Sequence, residues 1–408
     1  MDITEDYYHM PNARAYPSLF AWDSAYHAVT MTHIDPRKAA LELQTLFRHV
    51  AADGHMPHEV LVPCAATRAR PLRNFMRWVV QWEYDSRKAS HLVDPPVYVY
   101  AAELVFDRTH DRQWLSGIWE GLCRCLDYLL DERDVFGDGL VSIFHPWEAG
   151  TDLSPQLLPA LGMYPSRRFD VVQSTLYAAL LYRFCNTYCW DPEALARENR
   201  FVVEDLTINC ITIRALDSAS RLASAVGDHL AESRYRSRRE QMAEALECVC
   251  WDEATGCYYP RWDARQPRLA KVKTAASLLP LFAGTSPPGR LERLVREHLL
   301  DEACFWAPYL LPFNPHDELS GARPWVESRL WAGHCIWINF NWMLAIGLSE
   351  NGHRETAREL TRRTVRMIER EGFWEYYDSL TGKGKRMRDF TWPGLVLDMM
   401  SRLFPGPR

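Results

Sequence analysis

The chain has 408 residues, 47% hydrophobic and 25% charged, with 47 basic against 53 acidic residues and a formal net charge of −6. That length allows one large domain or two to three ordinary ones, and it can bury a core large enough to fold without disulfides. The mild acidic balance argues against a surface devoted to nucleic acid or anionic membrane.

Sixteen Trp, 18 Tyr and 16 Phe stand out. So many Trp exceed what a core needs, and carbohydrate-binding proteins are one class with that excess. Eleven Cys is an odd count, and the close pairs Cys123/Cys125, Cys185/Cys189 and Cys248/Cys250 lack C-x-x-C spacing. They read as reduced and structural rather than as a zinc or redox motif. Met1–Asp6 is acidic with no apolar core, which does not read as a signal peptide. No apolar run approaches the ~20 residues of a membrane span. The default expectation is a soluble cytoplasmic protein.

Residues 1–16 read as extended and aromatic-rich. A helix is predicted from Phe20 to about His33. Asp35-Pro36 reads as N-cap and first helical residue of the next, with Ala39, Leu43, Leu46, Phe47 and Val50 on one face. Residues 55–94 have no clean period and carry many basic residues, and a connection this long reads as a lid, centred on residues 61–90. Asp94-Pro95-Pro96 opens another helix, and Trp114 to Leu130 mark the one after it. Residues 134–169 form a second long connection. Helices are predicted at 171–188, 203–226 and 229–250, a short hairpin within 251–271, and helices at 273–283 and 288–300. A third long connection spans 301–330, and helices follow at 332–349, 353–371 and 392–404.

That is eleven or twelve helices with few strand signals and no βαβ alternation or Gly-rich phosphate loop. No composition shift marks a boundary, so residues 1–408 read as one domain. Helical hairpins at this spacing predict a closed toroid, all-α, with long loops gathered round a cavity at one end. Seven predicted helices separate the loop at 134–169 from the one at 372–389. An even number would put both at one end, so a helix is missed or split between residues 188 and 300.

Two stretches carry the chemistry. Phe373-Trp374-Glu375-Tyr376-Tyr377-Asp378 holds a carboxylate among aromatics, before the turn-rich Ser379–Gly384. Aromatic faces hold sugar rings and strip water from a carboxylate; the structural alternative is a turn with a surface Glu. His145-Pro146-Trp147-Glu148-Ala149-Gly150-Thr151-Asp152-Leu153-Ser154-Pro155 holds two acids after a Trp. Glycoside hydrolysis needs one protonated carboxyl to protonate the leaving oxygen and one ionised carboxylate on the other face of the sugar. Burial against an aromatic such as Trp147 would raise the pKa of the acid.

These residues resemble the inverting α-glycosidases of glycoside hydrolase family 63 and the related trehalases. The loop W-E-S-G-x-D of that family carries its general acid, a place that Asp152 takes here, with Ala149 for Ser. Phe20-Ala21-Trp22-Asp23-Ser24 resembles the segment whose Asp binds the non-reducing sugar, with Phe20 for the first Trp. Asp53–His58 resembles D-G-x-I/L-P-H. Asp94-Pro95-Pro96 resembles Q-P-P with an acid for the amide. Leu330-Trp331-Ala332-Gly333-His334-Cys335-Ile336-Trp337 resembles Y-W-R-G-P-V-W-I without the Arg. Trp374–Asp378 and Phe390-Thr391-Trp392 resemble the loop that carries the general base, Glu375 here. The single-domain length is most similar to the bacterial mannosylglycerate and glucosylglycerate hydrolases of that family.

The resemblance implies an (α/α)6 barrel with catalytic loops at one end and no metal or organic cofactor. It implies Asp152 as acid and Glu375 as base, and a small α-glucoside or α-mannoside as substrate. Substrate contacts are expected from Phe20, Trp22, Asp23, His58, Asp94, Trp147, Glu148, Trp331, Gly333, Trp337, Tyr376, Tyr377 and Trp392. Tyr376, Tyr377 and Trp374 are expected to orient Glu375. Asp23 reads alternatively as a helix cap, Asp152 as turn chemistry, and Trp22 and Trp147 as core. His55 and His58 lack the partners of a metal site. The basic run at 68–88 is a solvated face, or a lid cation for a glycerate carboxylate. Asp94, if it lines the leaving-group pocket, repels such a carboxylate. The other readings are a sugar epimerase or isomerase on the same barrel, and a sugar-binding protein without turnover.

Overall fold

The computed structural model describes residues 7–61, 85, 87–152, 154–163, 171–317 and 330–405, with the main chain alone at 171–175. The helices are α1 (Ala21–Thr32), α2 (Pro36–Phe47), α3 (Val97–Thr109), α4 (Arg112–Glu132), α5 (Val171–Thr187), α6 (Pro192–Glu198), α7 (Leu206–Val226), α8 (His229–Val249), α9 (Pro280–Ala283), α10 (Pro288–Arg293), α11 (Ile338–Glu350), α12 (Arg354–Glu371) and α13 (Val396–Leu403). Aspartates open many of them. Asp35, Asp111, Asp191, Asp205 and Asp228 each accept main-chain amides of the first turn. Each such cap is worth about 1 kcal/mol.

Among the described residues, α1, α3, α7, α9, α11 and α13 pack each on the next, and α13 returns to α1 to close the ring. Around them α2 covers α1 and α3, α4 covers α3 and α7, α8 covers α7, and α12 covers α11 and α13. This is an (α/α)6 barrel. The sequence distinguishes the two layers. Every residue of α11 from Ile338 to Leu348 is buried, as an inner helix requires. On outer α12 only one stripe is buried, Ala357, Leu360, Thr361, Thr364, Met367 and Ile368.

Short strands edge the loops: β1 (Leu19–Phe20), β2 (Glu59–Val60), β3 (Val203–Glu204), β4 (Trp251–Asp252), β5 (Cys257–Tyr258), β6 (Arg261–Trp262), β7 (Arg268–Leu269), β8 (Cys335–Ile336), β9 (Trp374–Asp378) and β10 (Gly384–Arg388). β9 lies between β10 and β8, antiparallel to both. β1 pairs with β2, Phe20 opposite Glu59.

Four expectations change. The missing helix is α6, a seven-residue helix opened by Asp191-Pro192, and it makes the count between the two loops even. The predicted helix at 332–349 begins only at Ile338, because residues 335–336 pair with β9. Glu375 stands on a strand rather than in an irregular loop. The flanks of the expected lid are tied down: Ala21 N donates to His58 O, and His58 N donates to Leu92 O. Its middle, residues 62–84 and 86, lies outside the described residues, as do Arg68, Arg70, Arg73 and Arg77. No helix among the described residues is long and apolar enough to cross a membrane.

Candidate active site

The loop bearing Asp152 is fixed from beneath by Glu148. This carboxylate is fully buried and accepts Val93 N at 3.2 Å, Phe144 N at 2.7 Å and Arg133 Nη1 at 3.1 Å. Arg133 is itself fully buried, and the pair joins the end of α4 to the loop. Gly150 then turns the chain at φ +70°, and a Cβ there would stand 2.5 Å from the Trp22 ring. Only glycine fits both the backbone and the contact. Two residues on, Asp152 enters a cavity of about 320 Å³, at the lower end of the ~300–1,000 Å³ typical of small-molecule sites.

Glu375 enters the same cavity from β9 and is 2% exposed. Its Oε1 accepts Tyr16 OH at 2.9 Å and Arg386 Nη1 at 2.7 Å. Its buried Oε2 makes no hydrogen bond of good geometry among the described residues, although the Met387 amide lies near enough to the carboxylate to favour its charge. Asp23, in the first turn of α1, lines the cavity too and accepts Trp392 Nε1 at 2.7 Å. The wall between them is aromatic. Trp331 stacks on Trp337 at 3.8 Å with planes 9° apart, and Trp392 meets Trp22 edge-on at 5.4 Å.

Burial sets the ionisation. It raises the Asp152 carboxyl to about 7; the Arg386 charge pulls down, and Asp23 and Glu375 push further up. Asp23 is lifted to about 6, also by burial. Burial raises Glu375 as well, but Arg386 and Tyr16 oppose the rise. Burial lifts both carboxyls, but only Glu375 receives hydrogen bonds directly from a guanidinium and a phenol, which favour its charged form.

A family model described as the mannosylglycerate hydrolase MGH1-like glycoside hydrolase domain matches residues 16–393. The chain is 32% identical over 413 residues to a mannosylglycerate hydrolase of Thermus thermophilus, covering 94% of each. It is 24% identical over 428 residues to a glucosylglycerate hydrolase of Mycolicibacterium hassiacum, covering 94% of this chain and 92% of the relative. The crystal structure of the GH63 mannosylglycerate hydrolase from Thermus thermophilus with Tris and D-glycerate superposes with a TM-score of 0.82 at 30% identity, covering 98% of this chain and 97% of that one. The chain belongs to the MGH1-like glycoside hydrolases. It is an enzyme that hydrolyses glycosidic bonds, and the isomerase and binding-only readings are not favoured.

Within this MGH1-like chain the predicted residues divide in two. Phe20, Trp22, Asp23, His58 and Trp147 line the cavity, as do Trp331, Trp337 and Trp392. Asp94, Glu148, Gly333, Tyr376 and Tyr377 are not among its lining residues. Glu148 is committed to the loop anchor. Gly333 O accepts Asn314 Nδ2. Tyr377 donates to Gly372 O, and Tyr376 packs its ring on Trp337, so the strand turns neither hydroxyl to the Glu375 carboxylate. Asp94 is 1% exposed and accepts Trp22 N at 3.0 Å, beneath α1. Burial raises its carboxyl well above the ordinary carboxylate range. The expected repulsion of an anionic leaving group required Asp94 to line the pocket, and it is not among the lining residues. Ala332 is buried and outside the cavity lining.

Sequence reasoning missed Tyr16 and Arg386, which bond the Glu375 carboxylate, and Glu59, which follows His58 into the wall. No motif announces them, since pairing places all three. Among the described residues one three-ligand group, His9–His27–Glu42, lies outside this cavity. Both histidines point Nδ1 at the buried Glu42, at 2.7 and 3.2 Å, tying residues 7–16 to α1 and α2.

Proposed function

We propose that this enzyme hydrolyses a small α-glucoside or α-mannoside with inversion, Asp152 giving its proton to the leaving oxygen and Glu375 removing one from water. The observation that carries the reading is one small aromatic cavity holding two carboxyls, of which Asp152 is lifted to about 7 by burial and Glu375 is hydrogen-bonded by a guanidinium and a phenol. Water attacks the anomeric carbon as its proton passes to Glu375 Oε2, while the bond to the leaving oxygen breaks and that oxygen takes the Asp152 proton. Trp22, Asp23 and Trp392 hold the sugar, Asp23 accepting hydroxyl protons. The relatives' names and the D-glycerate of the superposed crystal structure support a glycerate glycoside, and Asp94, buried outside the cavity lining, leaves that leaving group admissible.

The test is hydrolysis of mannosylglycerate, glucosylglycerate and trehalose by the wild type, Asp152→Asn and Glu375→Gln. Each variant should lose about 10²–10⁴-fold in turnover, the range of general acid–base catalysis. Early proton spectra should show the β-anomer from an α-linked substrate. Wild-type turnover in both variants, or an α product, removes the assignment.

A further inference from the structure

The register of the β9–β10 pair breaks at one place. Tyr376 faces Lys385, but Trp374 faces Arg388. Two residues, Arg386 and Met387, therefore stand opposite Glu375 alone. Arg386 takes up the extra length with φ +64°, a left-handed backbone that costs an arginine about 1–2 kcal/mol and a glycine nothing. Bulges of this kind re-aim a side chain, and strain of this kind is kept where the surrounding structure uses it. Here the side chain turned inward lines the cavity and donates Nη1 to Glu375 Oε1 at 2.7 Å. Its guanidinium lies over the Tyr16 ring, 5.6 Å from the centroid, and Tyr16 OH donates to the same Oε1. Among the described residues no side chain donates to Oε2, and the nearby Met387 amide makes no hydrogen bond of good geometry with it.

We propose that Arg386, aimed by the bulge opposite Glu375, is a positioning residue for the base: with Tyr16 it anchors one carboxylate oxygen and presents the other to the attacking water. This rests on Glu375 being the base. The charged and titratable groups around Arg386 are Glu375 and Tyr376 on β9, Tyr16 on the segment before β1, and Asp152 on the opposite loop. Its charge favours the ionised form of Glu375 and of Asp152 alike.

Three variants test this on mannosylglycerate. Arg386→Gly removes the side chain and the backbone strain together, while its unfolded chain gains freedom, so its Tm should stay near wild type. Its kcat should fall about a hundredfold, the scale of a misplaced reacting group, with KM changed less than about threefold. Arg386→Gln keeps the bulk without the charge and should show the same loss if the glycine variant fails to fold. Arg386→Lys should recover part of the rate. In both uncharged variants the acidic limb of the kcat profile should move to higher pH, which a merely structural residue would not cause. Wild-type kcat in both, or a loss confined to KM, overturns the proposal. Glu375→Gln separates the two claims. If it is inactive while the Arg386 variants are normal, only the positioning role fails. If it is active, the base assignment fails first.

Discussion

Asp152 and Glu375 differ less in burial than in what faces them. The desolvation of Asp152 is opposed by the Arg386 charge and its own main-chain amide, whereas Glu375 has a guanidinium and a phenol directly on one oxygen. An acid must hold its proton to act, so kcat/KM should fall as pH rises past about 7, the value to which burial lifts Asp152. A profile measured across about pH 4–9 that keeps rising above neutrality would remove Asp152 from the role. The same shift has a stability sign. Between the ordinary carboxyl value near 4 and about 7 the folded chain holds a proton that the unfolded chain has lost, so stability declines as pH rises through that window. Asp152→Asn should lack the decline. Both carboxylates were legible because each falls in a contiguous motif with an aromatic neighbour. Tyr16 and Arg386 were not, because a strand register and a bulge bring them in, and neither has a sequence period.

At the scale of elements, the acid loop depends on Glu148 more than on its own turn. Removing one partner of a buried ion pair leaves the other charged and unpaired, at a cost of about 3–5 kcal/mol. Glu148→Ala should lower unfolding free energy by that amount in a denaturant titration and abolish activity. A loss under about 1 kcal/mol would show that the Arg133 pair does not hold the loop. Long amphipathic helices such as α4 and α12 were readable from their apolar stripes. The misses are short or context-bound. α6 is shorter than the pattern can register. The apolar run Trp331–Trp337 reads equally as helix or strand, and only pairing of residues 335–336 with β9 decides it.

For the whole molecule, the weakest place to expect is the join where α13 closes on α1. One buried carboxylate spans it. Asp398 of α13 accepts Trp342 Nε1 from α11 at 2.7 Å, His33 Nε2 from the end of α1 at 3.1 Å and Arg402 Nε at 2.6 Å. Burial alone would raise its pKa, but the bond from His33 and the Arg402 charge outweigh it and the net shift is downward. Its stabilisation is therefore present above the ordinary carboxyl value and lost as pH falls through the depressed one. Asp398→Asn should lower Tm at pH 7, and the gap from wild type should close below about pH 4. A gap that is constant with pH would mean that packing, not charge, matters at the join. The toroid itself was legible from alternating short and long connections, because a ring of hairpins follows from helix count and loop length. The residues that close it were not, since Asp398, His33 and Trp342 come together from distant parts of the order.

The hydrogen bonds from Tyr16 to Glu375 and from Trp392 to Asp23 join positions 359 and 369 residues apart. The conformational freedom lost in joining such distant segments grows with the length between them. Contacts of this separation are the slowest to form. Refolding should therefore restore helix content before hydrolysis, because Glu375 and Asp23 meet Tyr16 and Trp392 only when the two ends of the chain come together.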